Sequence, residues 1–290
     1  MKGTGQALSH GAISILNAFS TGKGGALSID LWTRAKVTLR DGSGEFSVLI
    51  TSDPTESSAL VVAAVKKTLE RYGDPAKFSG EIITSSNIPS AVGLKSSSAA
   101  ANAAALAAAS ALGVEPDHDT IIGIGIDASL ESGVSLTGGF DDSYASYHGG
   151  AVLTDNLRRK VEKTIKVPSH LHILVLVPPR KTYTGTLDKS KFMPIRRISE
   201  LAYSEASNGH LWDALTLNGL AYSSVLGEDP KPAITALEAG ALGAGLSGKG
   251  PAVTAVVEED DVAKVRKAWE KFPGRVLASS PNEKRAVIEG

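Results

Sequence analysis

A glycine-containing loop that runs straight into an alanine-rich helix constrains this chain more than any other stretch. Loop and helix start span residues 89–102, which read PSAVGLKSSSAAAN, and small apolar residues continue to Val114. Alanine favours the helix and has almost no side chain, so neighbouring elements can pack close against it. The stretch therefore predicts a buried helix preceded by a polar loop.

The loop has the chemistry of a phosphate site. A serine before a helix caps the N–H groups of the first turn, and these groups together with the helix dipole attract an anion. Gly93 lets backbone approach a ligand closely, Lys95 adds a mobile positive charge, and the following serines can bond phosphate oxygens or a hard divalent cation. The run does not match G-x-x-x-x-G-K-[ST]. An ordinary capped helix start explains the same residues, so both interpretations stay open here.

The composition is globular and argues against several classes of protein. At 290 residues the chain has room for one large or two smaller domains. Its net charge of −1 gives no bulk attraction to nucleic acid or to an anionic membrane, so we expect neither as a partner. The chain has no cysteine, which excludes disulfides, thiolate zinc sites and a cysteine nucleophile and suits a cytoplasmic protein.

We expect neither a signal peptide nor a membrane span. No basic segment followed by a long apolar run opens the sequence, because the apolar stretch at 12–19 is short and contains Ser14 and Asn17. The longest apolar run, residues 99–114, is interrupted by Asn102 and Ser110 and is shorter than the ~20 residues that a bilayer requires.

Strands and helices mix irregularly along the chain, which predicts an α+β fold. In the first half the patterns predict strands at 26–31, 34–40, 45–51 and 78–85 and helices at 57–72, 96–113 and 120–132. A charged stretch at 155–166 indicates a boundary between two halves. In the second half the patterns predict strands at 172–177, 252–257 and 275–288 and helices at 194–207, 211–226, 233–242 and 260–271.

The run at 243–249, GAGLSGK, is similar to two nucleotide-binding motifs. Its first six residues match G-x-G-x-x-G, and Gly243 to Lys249 is one residue short of a P-loop. Both motifs require a strand before them and a helix after them, whereas here we expect a helix before and a Val-rich strand after Pro251. We therefore reject both. The run is either a tight turn between helix and strand or a second loop that contacts a nucleotide.

Three motifs together resemble those of the GHMP kinases, the superfamily of galactokinase, homoserine kinase and mevalonate kinase. Residues 89–97 fit its central Pro-x-x-x-Gly-Leu-x-Ser-Ser motif, 245–251 look like its C-terminal glycine motif, and 10–25 occupy the place of its N-terminal motif. Within the superfamily, the GLKSSS run at 93–98, SILNA at 14–18 and TGGFDD at 137–142 are most similar to shikimate kinase of the archaeal type. The resemblance covers most of the chain.

The resemblance implies a two-domain GHMP kinase fold, with a ribosomal-S5-like N-terminal domain at 1–160 and a ferredoxin-like C-terminal domain at 161–290. It implies ATP and Mg²⁺ as cofactors, bound with the substrate in the cleft between the domains. The implied reaction is phosphorylation of the 3-hydroxyl of shikimate. Homoserine kinase, another alcohol kinase of the superfamily or a non-catalytic binding module are the alternatives.

The family's spacings then select individual residues. Its catalytic aspartate stands seven residues before a Gly-Gly pair, which selects Asp142, with Asp141 as the other candidate. Its magnesium-binding glutamate lies eleven residues earlier, at Glu131, and its magnesium-binding serine aligns with Ser97. The implied ATP-binding loop comprises Pro89, Ser90, Ala91, Val92, Gly93, Leu94, Lys95, Ser96, Ser97, Ser98 and Ala99.

One position departs from the family's pattern. Mevalonate kinase carries in its N-terminal motif a lysine that sits beside the catalytic aspartate, and the aligned residue here is Ala12. The missing positive charge has three candidate sources, which are Lys23, Lys95 and Arg180. Shikimate also carries a carboxylate, and basic side chains suit such a group. The candidates for that contact, each equally explained as a surface charge, are Arg180, Arg196 and Arg197.

Overall fold

Two β-sheets with flanking helices make up the part of the chain that the structure describes. The computed structural model describes residues 3–135, 138–182 and 189–290. The strands are β1 (Gly3–Leu16), β2 (Lys23–Asp41), β3 (Phe46–Ile50), β4 (Phe78–Ser86), β5 (Ala151–Asp155), β6 (Lys160–Ile165), β7 (His172–Val177), β8 (Gly243–Leu246), β9 (Val253–Val257), β10 (Arg275–Ser279) and β11 (Val287–Glu289). The helices are α1 (Ala59–Tyr72), α2 (Ser96–Ala111), α3 (His118–Glu131), α4 (Phe140–His148), α5 (Arg196–Ser207), α6 (Leu211–Leu226), α7 (Lys231–Glu238) and α8 (Glu259–Trp269).

The first sheet is organised around the long strand β2. Its strand order is β11-β1-β2-β4-β3, with β5 and β6 continuing from the first part of β2. Residues 23–27 of β2 pair with β5, and residues 33–41 pair with β4. The same edge of β2 therefore forms hydrogen bonds with two successive strands. The helices α1, α3 and α4 pack around α2 on this sheet.

The alanine helix α2 lies at the centre of this half. Most of its alanines are buried in one core with α1, α3 and the sheet. A Cβ on Gly3 or Gly5 of β1 would lie 2.0 Å from the carbonyl oxygen of Ala111 or 2.3 Å from that of Ala107. Strand and helix backbones therefore approach as closely as glycine allows, which confirms the predicted close packing.

The second sheet is antiparallel, with strand order β10-β7-β9-β8. Helices α5, α6 and α7 connect β7 to β8, and α8 connects β9 to β10. This is the strand–helix–strand–strand–helix–strand order of ferredoxin-like folds. Residues of both sheets, such as Ile13, Leu27, Ile173 and Val175, share one buried cluster. The two halves are thus packed together around a common core.

Most predicted elements are confirmed, and four differences are instructive. The strand β1 was not predicted. Its small residues are required by close contact with the backbone of α2, and they show no simple alternation of apolar and polar side chains. The strands expected at 26–31 and 34–40 are one continuous strand, and the predicted turn at 243–251 begins with strand β8. Strand β6 follows the proposed division at residue 160 but belongs to the first sheet, and β11 returns to it from the end of the chain. No described helix has the length and apolar character needed to cross a membrane.

Candidate active site

A cavity of about 550 Å³ opens between the two halves. One part of its lining, called the polar end, is formed by the loop at 89–95, the first turns of α2 and α4, and the run at 248–250. Its other end combines apolar side chains with hydroxyls and includes Ile50, Leu60, Val61, Thr84 and Ser86. The volume and this division into a polar and a mixed end are typical of a small-molecule site.

The loop before α2 directs the start of that helix into the cavity. Ala91, Gly93 and Lys95 have positive φ values of 55°, 93° and 59°. Helix α2 begins at Ser96, its capping position is Lys95, and no side chain caps it by a hydrogen bond. The prediction that a serine caps this helix is therefore wrong, because the left-handed turn at Lys95 places all three serines inside the first turn. Their N–H groups and hydroxyls lie where an anion can use them.

The predicted ATP-binding loop divides into two sets of residues. Ser90, Ala91, Gly93, Lys95 and the three serines that follow line the cavity. Val92, Leu94 and Ala99 are buried in the core shared by the two halves, beneath the loop. Pro89 is half-buried beside it. The apolar members therefore hold the loop in place while the polar members face the cavity.

Lys95 supplies the positive charge beside Asp142. The Lys95 Nζ lies 2.9 Å from Asp142 Oδ1, and both side chains are largely shielded from solvent, at 10% and 24% exposure. Ala12 is fully buried in a small apolar cluster with Ala26, Ala145 and Val152. The other candidate cations are engaged elsewhere, Lys23 over the ring of Tyr203 and Arg180 with Glu228.

Asp141 differs from its neighbour in environment. It is buried, and its Oδ1 accepts a 2.7 Å hydrogen bond from Nδ2 of Asn156. A Cβ on Gly24 would lie 2.4 Å from its Oδ2, so the carboxyl packs against bare backbone. Burial and then the charge of Asp142 raise the pKa of Asp141 to about 7, against the opposing effects of Lys95 and Asn156. Helix α4 is capped at Gly139, so neither aspartate is its capping residue.

Glu131 is not brought into the cavity. It is the last residue of α3, and two residues along a helix correspond to about 200° of rotation, so it faces away from Ser129, which does line the cavity. Its carboxylate is exposed and lies 2.6 Å from Nζ of Lys67 on α1. The predicted role of Glu131 in magnesium binding therefore has no support in this arrangement. Within the described ranges no group of three or more histidine or acidic side chains is placed to hold a metal.

The glycine run at 247–251 docks onto the loop before α2. Ser247 Oγ donates to the carbonyl of Gly93 at 2.7 Å, and the N–H of Ala252 donates to Val92 at 3.1 Å. A Cβ on Gly93 would lie 2.0 Å from the carbonyl oxygen of Ser247. The run is flanked by β8 and β9, so rejection of the two strand–loop–helix motifs is confirmed. Lys249 lines the cavity.

The loop after β7 also reaches across the cavity. The N–H of Thr182 donates to the carbonyl of Ala91 at 2.8 Å, and Lys181 Nζ lies 2.7 Å from Asp53 and 2.6 Å from Glu56. The three predicted partners of a substrate carboxylate are not in the lining. Arg180 pairs with Glu228, whereas Arg196 and Arg197 both pair with Glu200 on α5.

Sequence reasoning missed the partners of the predicted residues. Asn17, Asn156, Thr182 and Lys249 line the cavity and come from four separate segments. Asn17 and Lys249 lie in the N-terminal and C-terminal motifs, but the sequence analysis gave neither of them a role. Thr137, part of the TGGFDD run, falls outside the described residues. Together the residues in place form a seat for a polyanion beside a carboxylate, which suits transfer of an anionic group to a hydroxyl.

Two family models match the chain. The model described as GHMP kinases N terminal domain matches residues 59–150, and the one described as GHMP kinases C terminal matches residues 196–274. The first match includes the loop before α2 and both aspartates, and the second includes the glycine run. The matched segments thus carry the residues that meet at the cavity.

Curated relatives match along nearly the whole chain. A shikimate kinase of Pyrococcus furiosus is 41% identical over 97% of this chain and 100% of its own. A shikimate kinase of Methanothrix thermoacetophila is 39% identical over 97% of this chain and 95% of its own. At this identity and coverage the relatives share the complete fold with this chain.

Solved structures of more distant proteins have the same fold. The galactokinase of Lactococcus lactis, in complex with galactose, superposes with a TM-score of 0.78 at 15% identity, covering 98% of this chain and 95% of that one. The homoserine kinase of Cytophaga hutchinsonii superposes with a TM-score of 0.75 at 18% identity, covering 100% and 98%. These likenesses concern the fold alone.

Proposed function

The chain belongs to the GHMP kinase family, and on that premise we propose that it transfers the γ-phosphoryl group of ATP to the 3-hydroxyl of shikimate. The observation that carries the proposal is the match to relatives named shikimate kinase, which are 37–41% identical over at least 94% of this chain. The absence of cysteine suits work in a reducing cytoplasm, where we also propose that it acts.

The described residues fit a bound triphosphate. The N–H groups and hydroxyls of Ser96, Ser97 and Ser98 face the polar end of the cavity, and Lys95 and Lys249 add positive charge there. Burial and then the charge of Lys95 lower the pKa of Lys249 to about 8, and a bound anion would raise it again by favouring the charged form. When bound, ATP supplies the phosphoryl group and leaves as ADP. The mixed end of the cavity suits the nucleoside.

Asp142 is the residue that we propose as the base. Its carboxylate faces the cavity in the first turn of α4, where it can orient the substrate hydroxyl and accept its proton. Lys95 holds this carboxylate at 2.9 Å and so sets its direction. Asp141, with its raised pKa and its bond to Asn156, acts as a buried support for the turn. Phosphoryl transfer depends mainly on positioning and charge neutralisation, which these contacts provide.

Magnesium fits this site as a companion of the nucleotide. Mg²⁺ takes few protein ligands and keeps phosphate oxygens and water as the others, and the hydroxyl of Ser97 at the polar end is the ligand that we propose. The ion would neutralise charge on the phosphates. Glu131, which pairs with Lys67, supplies no ligand in the present arrangement.

An ADP-release assay coupled to NADH oxidation tests the proposed function. The purified chain is given ATP and Mg²⁺ with shikimate, homoserine, mevalonate or galactose, and Asp142→Asn serves as the matched blank. We expect turnover with shikimate alone, and mass spectrometry of the product should give shikimate 3-phosphate. Turnover with another of these alcohols and not with shikimate would replace the proposed substrate, and release of no ADP with any of them would favour a binding module.

A further inference from the structure

Lys249 is a half-buried lysine in the glycine run, and the resemblance of residues 245–251 to a family motif gives it no role. The G-x-G-x-x-G and P-loop motifs were both rejected for this run. Its one charged side chain, that of Lys249, nevertheless lines the cavity. The flanking glycines Gly248 and Gly250 have left-handed φ values of 59° and 74°, a conformation that other residues rarely adopt. The run is therefore bent sharply on both sides of Lys249.

Hydrogen bonds from three directions hold this bend in place. Gly248 donates its N–H to Ser14 Oγ at 3.0 Å and accepts a 3.0 Å bond from Nδ2 of Asn17 at the end of β1. Ser247 donates to Gly93 in the loop before α2. Lys249 is thus positioned by β1, by the phosphate loop and by its own sheet, which is the kind of support expected of a functional side chain.

Two lysines from different halves converge at the polar end of the cavity. Lys95 Nζ lies 3.2 Å from the point where a Cβ on Gly248 would stand, so its ammonium touches the backbone beside Lys249. The charges of Lys95 and Asp142 both act on Lys249, the first lowering its pKa and the second raising it. Two lysines and the carboxylate of Asp142 therefore line one cavity, and Asp141, with its pKa raised to about 7, is only about half ionised at neutral pH.

The location of Lys249 indicates which phosphate of a bound nucleotide it would contact. Lys249 lines the same cavity as Lys95, at the start of α2, and Asp142, the proposed base, and Lys95 Nζ pairs with Asp142 while contacting the backbone of Gly248 next to Lys249. This places Lys249 on the side of the phosphate seat where the substrate hydroxyl would attack. The γ-phosphate of a bound nucleotide would lie on that side, because its phosphorus is the atom that the hydroxyl attacks. We infer that Lys249 binds the γ-phosphoryl group of the nucleotide and neutralises its charge during transfer. The inference rests on ATP as the phosphoryl donor and not on the identity of the alcohol.

Direct binding measurements test this inference without turnover. Calorimetric titrations with Mg²⁺ and either AMP-PNP, which has a γ-phosphate, or ADP, which has none, are run on the wild-type chain and on Lys249→Met. A charge-assisted hydrogen bond accounts for about 10- to 100-fold in affinity, so AMP-PNP should bind that much more weakly to the variant. The Kd values for ADP and for shikimate should stay unchanged.

Matched variants make every outcome informative. Lys249→Arg should recover part of the AMP-PNP affinity, and Lys231→Met, at an exposed lysine of α7, should behave as wild type. If Lys249→Met is unstable, Lys249→Gln takes its place, and thermal unfolding is recorded for each. Equal losses for AMP-PNP and ADP, a selective loss for shikimate, or no change would each overturn the inference. A wild-type chain that binds neither nucleotide would instead refute the proposed kinase function.

Discussion

Replacing Asp141 by asparagine should stabilise the folded protein, and more so at alkaline than at acidic pH. The carboxyl is buried between Asn156 and the backbone of Gly24, where ionisation is unfavourable. Asparagine has nearly the same shape and can still offer an oxygen to Nδ2 of Asn156. It removes the ionisable group and leaves the packing in place.

The magnitude follows from the pKa, which rises from an ordinary 3.8 to about 7 in the folded protein. Below the lower value both states are protonated. As the pH rises between the two values only the unfolded chain ionises, so stability is lost progressively until about pH 7 and is then constant. At about 1.4 kcal/mol per pH unit this amounts to ~4 kcal/mol in total and about 3 kcal/mol of it between pH 5 and pH 8.

Urea unfolding at pH 5 and at pH 8 measures the effect. The gain in the free energy of unfolding for Asp141→Asn over wild type should be about 3 kcal/mol larger at pH 8, because the asparagine cannot ionise. Asp213→Asn, which removes an exposed carboxylate from α6, is the control and should show no comparable difference between the two pH values. If the gain for Asp141→Asn is the same at both, this carboxyl does not titrate as a buried acid.

The remaining predictions concern the base, the phosphate loop, the metal and the loop that crosses the cavity. Asp142→Asn should lower kcat by at least ~10²-fold in the coupled assay, as expected for a lost general base. Gly93→Ala should reduce both Tm and ATP affinity, because its Cβ would lie 2.0 Å from backbone of the glycine run, whereas Gly113→Ala meets no atom within 4 Å and should cost much less. Glu131→Gln should leave the magnesium dependence of turnover unchanged, since its carboxylate pairs with a lysine outside the cavity. Lys181→Met should speed release of bound nucleotide in stopped flow, because it removes two ion pairs that join the loop after β7 to residues 53–56 beside the cavity.

Each of these has a clear contrary result. Near-normal turnover of Asp142→Asn would remove it as the base. Equal effects of Gly93→Ala and Gly113→Ala would mean that backbone conformation, and not contact with the glycine run, matters at Gly93. A raised magnesium requirement in Glu131→Gln would restore the glutamate to the metal site. An unchanged release rate in Lys181→Met would show that its ion pairs do not restrain the nucleotide.

Local pattern was sufficient for the features whose causes lie within a few residues. The helices α1, α2 and α6 and the strand β7 were predicted because apolar spacing and breaking residues at their ends are local properties. The loop before α2 was identified for the same reason, since its glycine, lysine and serines are adjacent in the chain. The strand β1 escaped prediction because its small residues match the backbone of α2, which is distant in sequence.

The candidate site shows the same division more sharply. Spacing singled out Asp142, but it could not tell whether Lys23, Lys95 or Arg180 would stand beside it, since that depends on how α4 packs against the start of α2. Spacing also selected Glu131. The position of this residue on α3 and its ion pair with Lys67 turn its side chain away from the cavity.

The sequence by itself determined the family, the α+β class, the alanine helix and the phosphate loop, because each is written in contiguous residues. Both aspartates line the cavity, and tertiary structure alone decided that Asp141 is buried beside Asn156 while Asp142 pairs with Lys95. It also decided that Lys249 would line the same cavity as Lys95 and Asp142. The physical reason is that pKa values, ion pairs and cavity linings arise from groups that the chain brings together only when its two sheets pack around a shared core.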